Sequence, residues 1–303
     1  RGSTPGAAAA RRLRRMTAAG SSPRDPCWPI GLKRRRHPRV GSNLDGARAG
    51  GAEASSTASP LPRLNLRREV RFGSWNVLSL AEDARFPALS RELGRLGIAV
   101  AALSEVRRPT CRDPRKPDEA EKCLTEVEGY TYYWSGRSDG YHTEGVAVAV
   151  SSRLVPLVSG IKRVDERIMR LRIEHSLGVM CVVAVYAPTG CSEFSKKEAF
   201  YAKLDSVVDA VPRGDTLVLM GDFNATTGTD RDNYEACVGP HGSGRRDDSS
   251  LMLLDFAKSR GLMIAGSWFQ RSDLRRMTWI SNTGVTRKEG DHLLVDGRWS
   301  MVR

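Results

Sequence analysis

Thr216-Leu217-Val218-Leu219-Met220-Gly221-Asp222-Phe223-Asn224 is the stretch from which the rest of this chain is best read. Thr216 to Met220 has the length and apolar character of a short buried strand, and it runs straight into Gly-Asp, with an amide two positions later. In α/β folds, side chains leave the core at the carboxyl ends of strands and converge on a cleft. An acid at that point is therefore a candidate site residue. Working outward, the same arrangement recurs. Val70 to Val77 reads as a strand that carries Ser74-Trp75-Asn76 near its end, and Ile98 to Leu103 is an apolar run ending at Ser104-Glu105. Val179 to Tyr186 ends in a phenol, and a further short strand is expected over His292 to Val295. One such residue marks only where a chain meets water; an amide, acids and a phenol at the ends of separate strands point to a shared site.

The intervening pattern is mixed. Phe86, Leu89, Leu93 and Leu96 recur at helical spacing, with Pro87 suited to a first turn. Residues 107–128, charged and Pro-containing, read as a surface loop. Gly145 to Val150 is another apolar strand, and Ile168 to Ile173 alternates with Arg170 and Arg172 as a half-exposed one. Ser195-Lys196-Lys197-Glu198 fits a capping box ahead of a helical face at Phe200, Leu204, Val207 and Val208. A second such helix runs from near Ser250 to near Gly261, and a short strand is expected around Met277–Ser281. Strands and helices alternate, but several strands succeed one another directly. That order predicts an α/β sandwich of two mixed sheets between helical layers, in place of a simple doubly wound sheet.

Charge separates the chain into two parts. Residues 1–71 hold 16 Lys and Arg against four acids, so of the formal net charge of +13 only +1 belongs to residues 72–303. The alkaline balance thus describes the leading stretch, and nucleic-acid binding by the remainder has to be argued from its site. Residues 1–68, rich in Ala, Gly, Ser, Pro and Arg without periodicity, are expected to form a basic low-complexity disordered tail, because they cannot bury enough apolar area to offset ordering entropy. Residues 69–303 are expected to form the folded domain. The tail can attract phosphates without sequence preference, and its Lys33-Arg34-Arg35-Arg36 cluster fits a nuclear import signal. Six cysteines (Cys27, Cys111, Cys123, Cys181, Cys191, Cys237) show no CxxC pairing, so free thiols are the expectation. No apolar run reaches the length of a membrane span. A monomer is expected, and the first residue, Arg1, reads as the start of a fragment.

Carboxylate and amide oxygens suit a hard cation such as Mg²⁺, which takes few protein ligands and keeps water and phosphate oxygens. Ser74-Trp75-Asn76-Val77, Leu103-Ser104-Glu105-Val106, Gly145-Val146-Ala147-Val148, Val185-Tyr186-Ala187-Pro188-Thr189, Gly221-Asp222-Phe223-Asn224-Ala225, Thr278-Trp279 and Gly290-Asp291-His292-Leu293-Leu294-Val295 together resemble successive motifs of the endonuclease/exonuclease/phosphatase superfamily. That group includes exonuclease III, apurinic/apyrimidinic endonucleases and deoxyribonuclease I. The nearest likeness is to endonuclease domains of non-LTR retrotransposons of the RTE/BovB kind and to craniofacial development protein 2-like proteins, and it extends over residues 70–303. The resemblance implies a four-layered α/β sandwich of the exonuclease III/deoxyribonuclease I kind, and a phosphodiesterase that nicks DNA with Mg²⁺ or alternatively Mn²⁺. It further implies Glu105 as principal metal ligand with Asn76 beside it, and Asp222 as the group that orients and deprotonates the attacking water. Asn224 would hold water or phosphate, Tyr186 would donate to a phosphate oxygen, and Asp291 would orient a histidine from a later Ser-Asp-His motif.

No Ser-Asp-His follows Asp291; the sequence stops at Val302-Arg303, one loop and strand short, so the domain is expected to be C-terminally truncated. His292, adjacent to Asp291 on a strand, should point to the opposite face and be structural. His142 has no assigned role. Leu78 stands where some family members carry an additional acid on the metal side. Arg275, Arg276, Trp268 and Trp279 are candidates for a groove against DNA, with Trp279 alternatively in the core or cleft wall. Two other readings stay open at this point: an inactive domesticated or pseudogene-derived remnant with a nucleic-acid-binding tail, and a same-fold phosphatase of lipids or inositols.

Overall fold

A computed structural model describes residues 30–34, 70–110, 123–280, 285–297 and 299–302. The strands, in chain order, are β1 (Ile30–Arg34), β2 (Val70–Asn76), β3 (Val100–Ser104), β4 (Leu124–Val127), β5 (Tyr130–Ser135), β6 (Val146–Ser151), β7 (Val158–Arg163), β8 (Ile168–His175), β9 (Gly178–Tyr186), β10 (Thr216–Asp222), β11 (Leu262–Ile264), β12 (Trp279–Ile280), β13 (Arg287–Lys288), β14 (Asp291–Asp296) and β15 (Trp299–Val302). Three longer helices accompany them: α1 (Phe86–Leu96), α2 (Phe194–Asp209) and α3 (Asp248–Ser259).

Two large sheets form. The first runs β15-β1-β2-β3-β6-β5-β4 and the second β11-β14-β10-β9-β8-β7, while β12 and β13 make a separate hairpin. Each large sheet is mixed: β2 pairs with β3 in parallel, as does β9 with β10, and the other pairings are antiparallel. Alternation along each strand sorts the side chains into layers. Phe72, Val100, Ala102, Val146 and Val148 of the first sheet meet Met180, Val182, Ala184, Val218, Met220 and Val295 of the second in one apolar cluster. Residues of the opposite parity face the helices. Ala101, Leu103 and Ala147 pack with Phe86, Leu89 and Leu93 of α1, while Val183, Leu217 and Leu219 pack with Phe200, Leu204, Leu253 and Leu254 of α2 and α3. Helix, sheet, sheet, helices: the expected four-layered α/β sandwich is the fold.

Several local expectations need correction. Strand β1 lies inside the stretch expected to be wholly tail, and it pairs with both β2 and β15. The rest of residues 1–68 falls outside the described residues, including Arg35 and Arg36 of the basic cluster. Within 107–128, expected to be loop, Leu124–Val127 forms β4 against β5; residues 111–122 lie outside the described ones. Strand β5 itself, Tyr-Thr-Tyr-Tyr-Trp-Ser, was not anticipated. Its hydroxyls disguise it, yet the whole strand is buried. The Tyr130 hydroxyl donates to the Ile98 carbonyl at 2.6 Å, and the Tyr132 and Ser90 hydroxyls meet at 2.7 Å, so the polar atoms are satisfied inside. Helix α2 begins at Phe194 with Glu193 as its cap residue and no side-chain cap bond, so Ser195 is already helical and the capping box does not form. The α3 start does cap, with Asp247 Oδ1 accepting from the Ser250 amide at 2.9 Å. Cys123, Cys181, Cys191 and Cys237 are not joined in disulfides.

Candidate functional site

Tyr186, Asp222 and Asp291 stand in one row. Register pairs Asp222 with Tyr186 across β10 and β9, and with Asp291 across β10 and β14. All three continue the parity of the inter-sheet cluster: Ala184 before Tyr186, Met220 before Asp222, Leu293 after Asp291. Each therefore occupies what would be the next core position at the open end of the sandwich. Asn76 and Ser74 do the same on β2, continuing the parity of Phe72. Glu105 would break the pattern, since Ser104 and not Glu105 has inner parity. Its backbone turns left-handed instead (φ +54°), which carries the carboxylate back toward the gap between the sheets.

The convergence is direct. Asn76 Nδ2 lies 2.9 Å from Glu105 Oε1 and 3.2 Å from Asp222 Oδ2. One amide therefore spans two acids that are 117 residues apart in sequence. The Tyr186 hydroxyl donates to Glu105 Oε1 at 3.4 Å. Asp222 Oδ1 accepts from the Asn224 backbone amide at 2.9 Å, and the Asn224 side chain donates to the Ala187 carbonyl at 2.9 Å. Ser74 Oγ donates to Asp291 Oδ1 at 2.6 Å, tying the first sheet to the second. Thr278 Oγ1 accepts from the amides of Gly290 and Asp291 at 3.0 and 3.1 Å. Asn76, Glu105, Tyr186, Asp222 and Asn224 thus form one cluster, with Asp291 beside Asp222.

Two glycines make this packing possible. A Cβ on Gly221 (φ +148°) would sit 2.0 Å from the Val185 carbonyl oxygen, so only glycine allows β9 and β10 to close immediately before Asp222. A Cβ on Gly290 would lie 3.1 Å from Asp222 Oδ1.

Burial dominates the electrostatics. It raises the Asp222 carboxyl above its usual range, against the bonds from Asn224 and Asn76, and the neighbouring Glu105 raises it further. Burial and then the Asp222 charge push Asp291 up to about 7, with the Ser74 and Thr278 hydroxyls opposing. The Tyr186 phenol is raised well above its ordinary value by burial first and by Glu105 and Asp222 next, so it stays a proton donor at neutral pH.

Three acids brought to one buried end of a sandwich need a counter-charge. The donor set of carboxylate and amide oxygens is hard, and no group of three His, Cys, Asp or Glu side chains that could hold a metal ion is found among the described residues. Coordination by Asn76 would require its amide turned so that Oδ1 faces the carboxylates, an assignment that hydrogen bonding and not the shape of the group decides.

Arginines complete the surroundings. Arg107 Nη2 donates to Glu105 Oε2 at 2.7 Å, an acid–base pair not anticipated from sequence although it lies within Ser-Glu-Val-Arg. Arg167 sits 5.2 Å over the Tyr186 ring, donates to the Tyr186 carbonyl at 3.2 Å and also pairs with Glu144. His292 faces away as expected, bonded to the Ala225 carbonyl at 2.8 Å. His142 bonds the Arg107 carbonyl at 3.1 Å, and Leu78 is exposed. Arg276 is not a groove residue: it is buried and paired with Glu289 at 3.2 Å. Trp279 is partly exposed on β12 and is not in the core, and Trp268 lies under Arg231 at 5.9 Å.

Residues 73–303 match the model of the Endonuclease/Exonuclease/phosphatase family. A craniofacial development protein 2 from Tragulus javanicus is 27% identical over 294 residues, which cover 94% of this chain but 48% of that protein. The chain therefore spans about half the length of this relative. Among solved structures, the AP endonuclease LMAP from Leishmania major is similar over 79% of this chain and 84% of its own, with 12% identity and a TM-score of 0.54. The endonuclease domain of TRAS1, a telomere-specific non-LTR retrotransposon, covers 75% of this chain and 85% of its own at 15% identity and a TM-score of 0.49.

Proposed function

The chain belongs to the endonuclease/exonuclease/phosphatase family, and from that premise we propose that it is a divalent-metal-dependent phosphodiesterase whose substrate is DNA, cut by nicking one strand. The observation that carries this reading is the Asn76 amide spanning Glu105 and Asp222, with Tyr186 and Asp291 in the adjoining register positions.

Glu105, with Asn76 beside it, would hold Mg²⁺ or Mn²⁺, and the ion would polarise the phosphate and neutralise charge on the leaving oxygen. The other roles belong to the chain's own groups. Asp222 accepts a proton from the attacking water; the Asn224 amide fixes one of its oxygens, and burial raises its affinity for the proton. Tyr186, held protonated, donates to the phosphate oxygen on which charge develops. Asn224 keeps its backbone amide on Asp222 and its side chain on Ala187, so it shapes the turn that presents Asp222 and offers its remaining N–H to water or phosphate. Asp291 lies behind Asp222, anchored through Ser74. The motif resemblance favours DNA as the substrate, and the surplus of 12 positive charges in residues 1–71 adds salt-sensitive attraction to a polyphosphate.

Supercoiled plasmid incubated with the protein and Mg²⁺ should yield open circles. EDTA, Glu105→Gln and Asp222→Asn should each stop the reaction. Equal nicking by Glu105→Gln, or release of inorganic phosphate from phosphoinositides in place of nicking, refutes the reading.

A further inference from the structure

A cleft of about 450 Å³ opens between the loop at residues 243–247 and the β12–β13 hairpin, and no role has yet been given to it. Its volume lies within the range of small-ligand sites, roughly 300–1,000 Å³. What distinguishes it is which of its charges are committed. Glu289 is buried and accepts from Ser243 and from Arg276. Asp247 is occupied in capping α3, accepting from both the amide and the hydroxyl of Ser250 at 2.9 Å. Arg246 is bound to the Thr227 carbonyl at 3.0 Å and lies 5.1 Å over the Tyr234 ring.

Arg245, Arg287 and Lys288 are different. All three are exposed, all three line the cleft, and none of their side chains makes a hydrogen bond or ion pair with another described residue. The Glu289 charge is thus matched by Arg276 and one Asp247 oxygen is taken up in capping, while three cations face solvent around one depression. A cleft so arranged selects anions, and three separated cations suit a chain of phosphates better than a single one.

Two walls of the cleft adjoin the candidate centre along the chain. One continues from Lys288 and Glu289 through Gly290 to Asp291, and the other from Thr226 back to Asn224. Gly290 places no side chain between the two, since a Cβ there would come within 3.1 Å of Asp222 Oδ1. We propose that this cleft binds the phosphodiester backbone flanking the bond to be cut, with Arg245, Arg287 and Lys288 as its phosphate contacts. The proposal rests on the nuclease reading of the adjoining site, but it concerns binding and is tested without turnover.

Affinity for a 20-base-pair duplex is measured by fluorescence anisotropy in EDTA across a salt series, with the full chain throughout so that residues 1–71 contribute equally. The Arg245→Ala/Arg287→Ala/Lys288→Ala triple variant should bind at least about 10-fold more weakly, and its log K against log salt slope should be shallower by roughly 2 to 3, near 0.9 for each lost contact. A second triple variant, Arg153→Ala/Lys162→Ala/Arg213→Ala, removes the same charge from exposed positions outside the cleft and should change the slope far less. Unchanged binding by the first variant, or an equal loss in the second, overturns the proposal. Hydrolysis of bis(p-nitrophenyl) phosphate with Mn²⁺ separates the two readings. If the cleft variant keeps this activity but loses DNA affinity, both readings stand. If the unaltered protein shows neither nicking nor this hydrolysis, the nuclease reading falls while the binding comparison still decides the cleft.

Discussion

Replacing Asp291 by asparagine should make the metal-free fold more stable at pH 8. Asp291 is buried, lies opposite Asp222 across β10 and β14, and is pushed up to about 7 by burial and by that neighbour. Between pH of about 4 and 7 the folded chain holds a proton there that the unfolded chain has already released. Unfolding therefore releases a proton in this window, and stability falls as pH rises through it. The gap between the ordinary value of 3.8 and about 7, at about 1.4 kcal/mol per pH unit, sets an upper limit of ~4 kcal/mol above pH 7. Asparagine is isosteric, and its oxygen can keep the 2.6 Å bond from Ser74, so the variant removes the buried charge without opening a cavity. An expected gain of roughly 2–4 kcal/mol corresponds to roughly 5–15 °C in Tm for a domain of this size. Thermal unfolding of both proteins in EDTA at pH 8 and pH 4.5 measures it. The gain should be present at the higher pH, shrink toward zero at the lower, and diminish when Mn²⁺ supplies a counter-charge. Equal Tm values at pH 8, or a difference that grows as pH falls, would refute the reasoning.

Gly221→Ala places a methyl group 2.0 Å from the Val185 carbonyl at a left-handed backbone position, so roughly 3–5 kcal/mol of destabilisation is expected, read as a fall in the urea midpoint. Arg276→Met strands Glu289 in a buried position, costing roughly 3–5 kcal/mol, whereas the Arg276→Met/Glu289→Leu pair should recover most of that loss; no recovery in the double variant would show that the pair is not the cause. Arg107→Ala removes the cation that already occupies Glu105 Oε2, so Mn²⁺ should bind roughly 2- to 5-fold more tightly by calorimetry, a modest effect because the arginine is 41% exposed; weaker binding would count against Glu105 as a ligand.

The strand-end pattern in the sequence was enough to bring Asn76, Glu105, Tyr186 and Asp222 under suspicion, because period-two alternation and apolar run length survive without knowledge of neighbours, whereas Asp291, at the start of its strand, came from the family motif alone. Parity does the same for His292, which must oppose Asp291 on one strand and does so in the fold. Contacts that depend on pairing between distant strands had no such signal. Ser74 reaches Asp291 across 217 residues, and that bond follows from the two sheets lying face to face. Strand β5 hid behind its hydroxyls, whose partners at Ile98 and Ser90 appear only after α1 and β3 are in place. The Arg107–Glu105 pair was close in sequence and still hidden. Two residues apart on a regular strand they would share a face, but both positions turn left-handed (φ +54° and +55°), so their meeting depends on backbone angles that the residue types do not dictate.

Position and cost are linked at this end of the sandwich. Tyr186, Asp222 and Asp291 occupy the places where alternation asks for one more apolar side chain, and an aliphatic there would lengthen the core. The chain instead buries two carboxylates with a third at the rim, satisfies their oxygens with an amide, two hydroxyls and a backbone N–H, and leaves much of their charge uncompensated. Arg107 offsets Glu105 from the exposed side, and Arg167 engages the Tyr186 ring and Glu144 rather than either aspartate. Hydrogen bonds alone do not repay such burial, as the raised values of Asp222 and Asp291 attest. A hard cation admitted beside Glu105 would offset the deficit, and on this argument its affinity and the stability it confers arise from the same electrostatic penalty. Variants that relieve the penalty should stabilise the metal-free fold and weaken its response to Mn²⁺ together.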